Sequence, residues 1–153
     1  WGWGPDGPPG PAPSRRAPGP AVRVSSRGAR GARHLVKILI ADDDRLVRVM
    51  LTDLLSELGH VVIQSENGAE AVAQCAREAP DLLILDFLMP KLSGLDALLE
   101  IRRTRPVPAV LLTAINEGSL RGLDGVDQVG ALLQKPFTRR TLERAIAAAV
   151  RAA

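Results

Sequence analysis

The chain has 153 residues, a length that suits one domain with its own apolar core. Its net charge of +3 is uneven, because residues 1–34 carry six arginines and one aspartate whereas the remainder is mildly acidic. The overall charge therefore gives no grounds for a nucleic-acid-binding domain, and the single cysteine, Cys75, excludes an internal disulfide.

Residues 1–34 differ from the rest in composition. They hold 7 of the 14 glycines and 7 of the 12 prolines, with almost no aliphatic periodicity. Such a segment buries too little apolar surface to offset the entropy of ordering it. We therefore predict a disordered extension over 1–34 and one domain over 35–153, with no room for a second domain. A basic arm for nucleic acid or an acidic membrane is one alternative for 1–34, and translated sequence upstream of a start near Val36 is another.

After this extension, strand and helix signals alternate five times. Aliphatic runs without alternation are typical of strands buried on both faces, and they predict parallel strands over 37–41, 61–63, 82–86, 109–113 and 131–134. Helical spacing and terminators predict helices over 45–58, 68–78 and 94–103, a poor glycine-rich helix over 117–125, and a last helix capped by Thr138. Five βα units of this kind indicate an α/β fold with right-handed crossovers.

Helical spacing also predicts which side chains face the core. In the first helix the apolar residues recur every four positions, at Leu46, Met50, Leu54 and Leu58. The last helix is expected to bury Leu142, Ile146, Ala149 and Val150. No apolar stretch approaches the roughly 20 residues that a helix needs to span a bilayer, so no membrane insertion is expected.

Four of the predicted strands end in residues that handle phosphoryl groups. Asp42 and Asp43 follow the first strand, Asp86 ends the third, Thr113 ends the fourth and Lys135 follows the fifth. Open α/β sheets bind ligands at the edge where the carboxyl ends of parallel strands meet. We therefore expect these side chains to converge on one pocket.

Three carboxylates in one pocket repel one another unless a cation neutralises them. Two like charges about 4 Å apart repel by roughly 4 kcal/mol at an effective dielectric constant near 20. The donors are hard oxygens without histidine or thiolate, so Mg²⁺ is the expected occupant of a site at Asp42, Asp43 and Asp86. A carboxylate left free to attack phosphorus would give an aspartyl-phosphate, with Lys135 and Thr113 holding transferred oxygens.

Together these motifs resemble the receiver domain of two-component response regulators, of the single-domain chemotaxis-regulator type. The resemblance covers about residues 36–153, and the matching segments are 37–44, 80–90, Ser93-Gly94, 112–114 and 135–137. It implies a three-layer, doubly wound, five-stranded parallel sheet of flavodoxin-like strand order 2-1-3-4-5. It also implies a cis peptide bond between Lys135 and Pro136.

The resemblance assigns a role to each site residue. Asp86 is the implied phosphoacceptor, and Thr113 and Lys135 are implied to sense the phosphoryl group. The implied ligands of Mg²⁺ are Asp42, Asp43, Asp86 and the backbone carbonyl of Leu88. The bulky Leu88 side chain, two residues after the phosphoacceptor, is expected to slow loss of the phosphoryl group.

The predicted function is that of a cytoplasmic receiver in a phosphorelay. It would take a phosphoryl group from a sensor histidine kinase or a phosphotransfer protein and signal to a downstream protein target through a binding surface. It is not expected to be an enzyme beyond self-phosphorylation and slow autodephosphorylation, nor to contact nucleic acid directly.

Two alternatives remain open at this point. One is a receiver-like interaction domain that does not switch. The intact acidic pocket argues against it, whereas Leu132 is a minor argument for it, because the family usually has Tyr or Phe at this position. The other is a hydrolase that works through an aspartyl-phosphate. The Asp-x-Asp-x-Thr/Val pattern of haloacid-dehalogenase-type phosphatases is absent from the chain, which argues against that second alternative.

Overall fold

Five parallel strands form one sheet in the computed structural model, which describes residues 36–152. The strands are β1 (Lys37–Ala41), β2 (Val61–Ser65), β3 (Leu82–Asp86), β4 (Ala109–Thr113) and β5 (Ala131–Gln134). Their order across the sheet is β2-β1-β3-β4-β5. This arrangement confirms the predicted α/β fold and its flavodoxin-like strand order. The disorder predicted for 1–34 lies outside the described residues.

The helices connect successive strands. They are α1 (Arg45–Glu57), α2 (Gly68–Glu78), α3 (Gly94–Arg102), α4 (Glu117–Leu120) and α5 (Arg139–Ala152), with a short 3-10 turn at Val126–Gln128. Side chains cap most of them: Asp44, Asn67 and Ser93 each accept a hydrogen bond from a backbone amide in the first turn. Thr138 caps α5 as predicted, because its hydroxyl accepts from the Thr141 amide at 3.2 Å.

The helices cover the two faces of the sheet and make three layers. Because successive side chains of a strand point to opposite faces, Ile38 and Ile40 belong to one apolar core and Leu39 to the other. The first core is completed by α1 and α5, and the second by α2 and α3. Cys75 of α2 is buried in the second core.

The predicted inward faces of two helices are partly wrong. In α1, Leu46 is 78% exposed and Met50 is also exposed, whereas Leu51 and Leu55 are fully buried. A step of four residues overshoots a full helical turn by about 40°, so a series spaced at four drifts off the buried face. In α5, Val150 is 51% exposed, because Leu142, Ala145 and Ala149 occupy the side that packs against the sheet.

Four predicted boundaries also need correction. β2 continues beyond residue 63 to Ser65, because its pairing with β1 runs through Ala41 opposite Ser65. The helix predicted over 117–125 stops at Leu120, and Gly125, with φ +89°, has a left-handed conformation that does not occur within a regular helix. α1 and α3 each end one residue earlier than predicted, at Glu57 and Arg102.

Candidate metal centre

Three carboxylates meet at the carboxyl edge of the sheet. β1 and β3 are neighbours with Ala41 opposite Leu85, so Asp42 and Asp86 follow at adjacent positions. Asp42 is fully buried, Asp86 is 7% exposed, and Asp43 is exposed. One carboxylate oxygen from each of the three lies within 4.8 Å of the other two. The chain therefore folds these carboxylates into a group able to hold a divalent cation.

Lys135 reaches the same group from β5. Its Nζ lies 2.8 Å from Asp42 Oδ2 and 3.3 Å from Asp86 Oδ1. Its backbone amide donates to the carbonyl of Thr113 at 2.7 Å, and the peptide bond to Pro136 is cis, as the family resemblance implied. Burial by itself lowers the pKa of Lys135, but the hydrogen bonds and charges of Asp42 and Asp86 outweigh it, so the net pKa is raised.

The ionised form of Asp86 is unfavourable in this setting. Desolvation is the largest cause, followed by the negative charge of Asp42, and together they raise the pKa of Asp86 to about 6 although Lys135 pulls it down. Three carboxylates against the single ammonium of Lys135 leave two negative charges in the group. A divalent cation matches that excess, and hard oxygen donors suit Mg²⁺.

Both carboxylate oxygens of Asp42, its amide and its carbonyl each make a hydrogen bond. Its Oδ1 accepts from the Asp44 amide at 2.8 Å, and its Oδ2 accepts from Lys135. Its own amide donates to the Ser65 carbonyl at 3.2 Å, and its carbonyl accepts from Arg48 Nη1 at 2.7 Å. The end of β1 is therefore fixed relative to β2, α1 and β5.

Arg48 was missed by the sequence analysis. It lies in α1, three residues before Leu51 and seven before Leu55, and thus on the buried face of an amphipathic helix. The sequence did carry a signal for it, namely an arginine on the apolar stripe of a helix. A guanidinium buried at such a position needs polar partners.

The loop from β3 to α3 approaches the site closely. The Gly94 amide donates to the Phe87 carbonyl at 3.1 Å, and a Cβ at Gly94 would lie only 2.1 Å from the Asp86 carbonyl oxygen. Only glycine permits this approach of α3 to the end of β3. Leu88 lies in the same loop and is 61% exposed.

Thr113 lies at the same edge but does not bond to the carboxylates. It is buried at the end of β4, where its hydroxyl accepts from the Ile115 amide at 2.9 Å and lies 3.2 Å from the Ile115 carbonyl. Within residues 36–152, the predicted group therefore consists of Asp42, Asp43, Asp86 and Lys135, with Thr113 beside it. Leu132 is partly buried and packs against the second core.

Known proteins are similar to this chain in sequence. Residues 38–147 match the family model described as response regulator receiver domain. A probable transcriptional regulator, ycf27 of Guillardia theta, is 39% identical over 118 residues, which cover 75% of this chain and 45% of that protein. The transcriptional regulatory protein PdtaR of Mycobacterium tuberculosis is 38% identical over 117 residues, covering 74% and 56%. The chain spans about half the length of these relatives.

Solved structures show the same similarity. A response regulator receiver domain protein of Clostridium thermocellum is 30% identical with a TM-score of 0.69, covering 76% of this chain and 95% of that one. The response regulator TrrA of Thermotoga maritima, in complex with Mg²⁺ and BeF, is 31% identical with a TM-score of 0.68, covering 74% and 97%. No helix within residues 36–152 is long and apolar enough to cross a membrane. On this sequence match and this shared fold, the chain belongs to the family of response regulator receiver domains.

Proposed function

We propose that the chain accepts a phosphoryl group on Asp86 in a Mg²⁺-dependent reaction, as the receiver of a two-component phosphorelay. The donor would be a sensor histidine kinase or a phosphotransfer protein. The observation that carries the proposal is the bridge from Lys135 Nζ to both Asp42 and Asp86, beside the third carboxylate of Asp43. A salt bridge that only stabilises the fold needs one carboxylate and one ammonium. This group has three carboxylates for its one ammonium, which is two carboxylates more than such a bridge needs.

The residues present fit a Mg²⁺ ion. Asp42, Asp43 and Asp86 would hold it, with the backbone carbonyl of Leu88 as a further hard oxygen donor. When bound, the ion would neutralise charge on the transferred phosphoryl oxygens. The complex of TrrA with Mg²⁺ and BeF supports this choice of metal, because that protein is a similar response regulator.

The chain's own residues would carry out the remaining chemistry. A carboxylate oxygen of Asp86 would form the new bond to phosphorus as the phosphorus–nitrogen bond to the donor histidine breaks, and the imidazole would keep that electron pair. Lys135, already 3.3 Å from Asp86 Oδ1, would place its charge beside the phosphoryl oxygens. The Thr113 hydroxyl would leave Ile115 to donate to one of those oxygens.

The output would be a change in a protein-binding surface that a downstream protein recognises. We place the protein in the cytoplasm, where a lone buried cysteine stays reduced. The absence of direct nucleic-acid contact stays a prediction, and it concerns this chain alone, because the relatives named transcriptional regulators are about twice as long.

Phosphoryl uptake should be stoichiometric and dependent on Mg²⁺. Acetyl phosphate with Mg²⁺ is expected to add one phosphoryl group, measured by intact mass, and chelation of the metal should prevent it. Phosphate release should stay near the slow rate of aspartyl-phosphate loss. Rapid release over many turnovers would instead support the hydrolase alternative, and absence of any adduct would support a non-switching domain.

Replacing Asp43 with alanine should abolish the response to Mg²⁺. Asp43 is the exposed carboxylate of the group, so its removal takes away a ligand without opening the core. Wild type should show a rise in melting temperature and site-specific NMR shifts on Mg²⁺ titration, and the variant should show neither. Asp53→Asn, on the exposed side of α1, is the control. An unchanged Mg²⁺ response in Asp43→Ala would contradict the metal assignment.

A further inference from the structure

Arg48 connects α1 to the backbone that precedes the metal centre. Its side chain is largely buried, with the residue 8% exposed. Its Nη1 donates to the Asp42 carbonyl at 2.7 Å, and its Nη2 lies 3.7 Å from Oε1 of the exposed Glu66. The short hydrogen bond to the carbonyl is therefore the main polar contact of a buried cation, and the longer ion pair lies at the solvent boundary.

The position of this hydrogen bond bears directly on Asp43. The carbonyl of Asp42 and the amide of Asp43 belong to one planar peptide group. A hydrogen bond that fixes this carbonyl therefore also fixes the orientation of the Asp43 amide. On the other side, the Asp42 amide donates to Ser65 of β2 at 3.2 Å. The backbone is thus held at two successive peptide groups immediately before Asp43.

Asp43 depends on this support more than the other two carboxylates do. Asp42 and Asp86 each contact Lys135, whereas no residue within 36–152 makes a hydrogen bond to the Asp43 carboxylate. Asp43 also lies beyond the end of β1, where the ladder of the sheet no longer fixes the chain. The backbone of Asp43 therefore lies between two held peptide groups, one bonded by Arg48 through the Asp42 carbonyl and one bonded by Asp42 Oδ1 through the Asp44 amide.

We propose that Arg48 is a positioning residue for the metal centre, which holds the Asp42–Asp43 peptide group so that the Asp43 carboxylate faces Asp86. This inference rests on the proposed binding of Mg²⁺. Residues that orient metal ligands without touching the metal typically change its affinity by about 10- to 100-fold when they are replaced. Arg48 contributes in that manner, through the backbone rather than through a ligand side chain.

The test compares Mg²⁺ affinity in Arg48→Met, Arg48→Lys and Arg102→Met by NMR titration. Arg102 is the matched control, because its guanidinium also donates to backbone carbonyls, those of Val107 and Gln128. Arg48→Met should bind Mg²⁺ about tenfold or more weakly than wild type. Arg48→Lys keeps one donor and should fall between the two, whereas Arg102→Met should retain wild-type affinity even where it lowers the melting temperature.

A second readout needs no metal. The carbonyl ¹³C shift of Asp42 and the amide shift of Asp43 should change in both Arg48 variants and stay unchanged in Arg102→Met. If Arg48→Met does not fold, Arg48→Lys carries the test with the same two readouts. Wild-type Mg²⁺ affinity in an Arg48 variant whose Asp42 carbonyl shift has changed would overturn the inference. Failure of the wild-type protein itself to bind Mg²⁺ would instead overturn the proposed function.

Discussion

Asp86→Asn should take up no phosphoryl group from acetyl phosphate and Mg²⁺ under conditions that modify the wild-type protein fully. The amide has no anionic oxygen to attack phosphorus. Asp42 cannot substitute for it, because its two carboxylate oxygens are engaged by the Asp44 amide and by Lys135. Intact-mass spectrometry measures the effect, and Asp53→Asn should behave as wild type. An equal adduct in Asp86→Asn would place the phosphoryl group on another residue.

The same substitution should stabilise the metal-free domain at neutral pH. Burial and the charge of Asp42 raise the pKa of Asp86 from 3.8 to about 6, so the folded state disfavours its ionised form. The free-energy cost of keeping Asp86 ionised in the folded state is absent below pH 3.8. It grows between pH 3.8 and about pH 6 and has its full value above that pH. Two pKa units correspond to about 3 kcal/mol, so Asp86→Asn should gain up to about that much at pH 7. Denaturant unfolding at pH 7 and pH 4 should show this gain only at the higher pH.

Lys135→Met should destabilise the metal-free domain by on the order of 3 kcal/mol at pH 7, because removal of one partner leaves buried charge uncompensated. Lys135 is the ammonium that contacts the buried carboxylates of Asp42 and Asp86. Denaturant unfolding measures the loss. The loss of stability should shrink as the pH falls below 6, where Asp86 becomes protonated. It should also shrink on addition of Mg²⁺.

Lys37→Met provides the matched control for that loss. Lys37 also pairs with a carboxylate, Glu78 at 2.9 Å, but both side chains of this pair are substantially exposed. Exposed pairs contribute about 1 kcal/mol or less. Equal losses in the two variants would contradict the view that Lys135 neutralises a buried acidic group.

The sheet was predictable because its signal is local and redundant. The three central strands, β1, β3 and β4, are built on unbroken aliphatic runs, and burial on both faces requires that pattern whatever the neighbouring helices contain. The convergence of Asp42, Asp43, Asp86 and Lys135 then follows from topology, since parallel strands end at one edge. Predicting the positions of these residues required no knowledge of side-chain conformation.

The helix faces and α4 were less predictable for physical reasons. α1 carries apolar residues around most of its circumference, so spacing alone does not decide between Met50 and Leu51. Tertiary packing decides, and it buries Leu51. In the segment after β4, the cost of each glycine was recognised, but the end of α4 at Leu120 and the left-handed φ of Gly125 before the 3-10 turn depend on the folded backbone.

Two features of the site depend on side-chain geometry that no sequence pattern specifies. The Thr113 hydroxyl bonds to Ile115 in its own loop, although its position at the end of β4 is the predicted one. Arg48 reaches across from α1 to the Asp42 carbonyl, a contact between a long side chain and a backbone atom six residues earlier. Such contacts emerge only once the helix is oriented on the sheet.

Reductive trapping locates the phosphoryl group directly. Borohydride converts an aspartyl-phosphate to homoserine, and tandem mass spectrometry of the digested protein identifies the residue that has changed. After treatment with acetyl phosphate and Mg²⁺, homoserine is expected at position 86, with Asp42, Asp43 and Asp44 unaltered. Homoserine at any of those three positions, or none in a protein that binds Mg²⁺, would contradict the assignment of Asp86 as the phosphoacceptor.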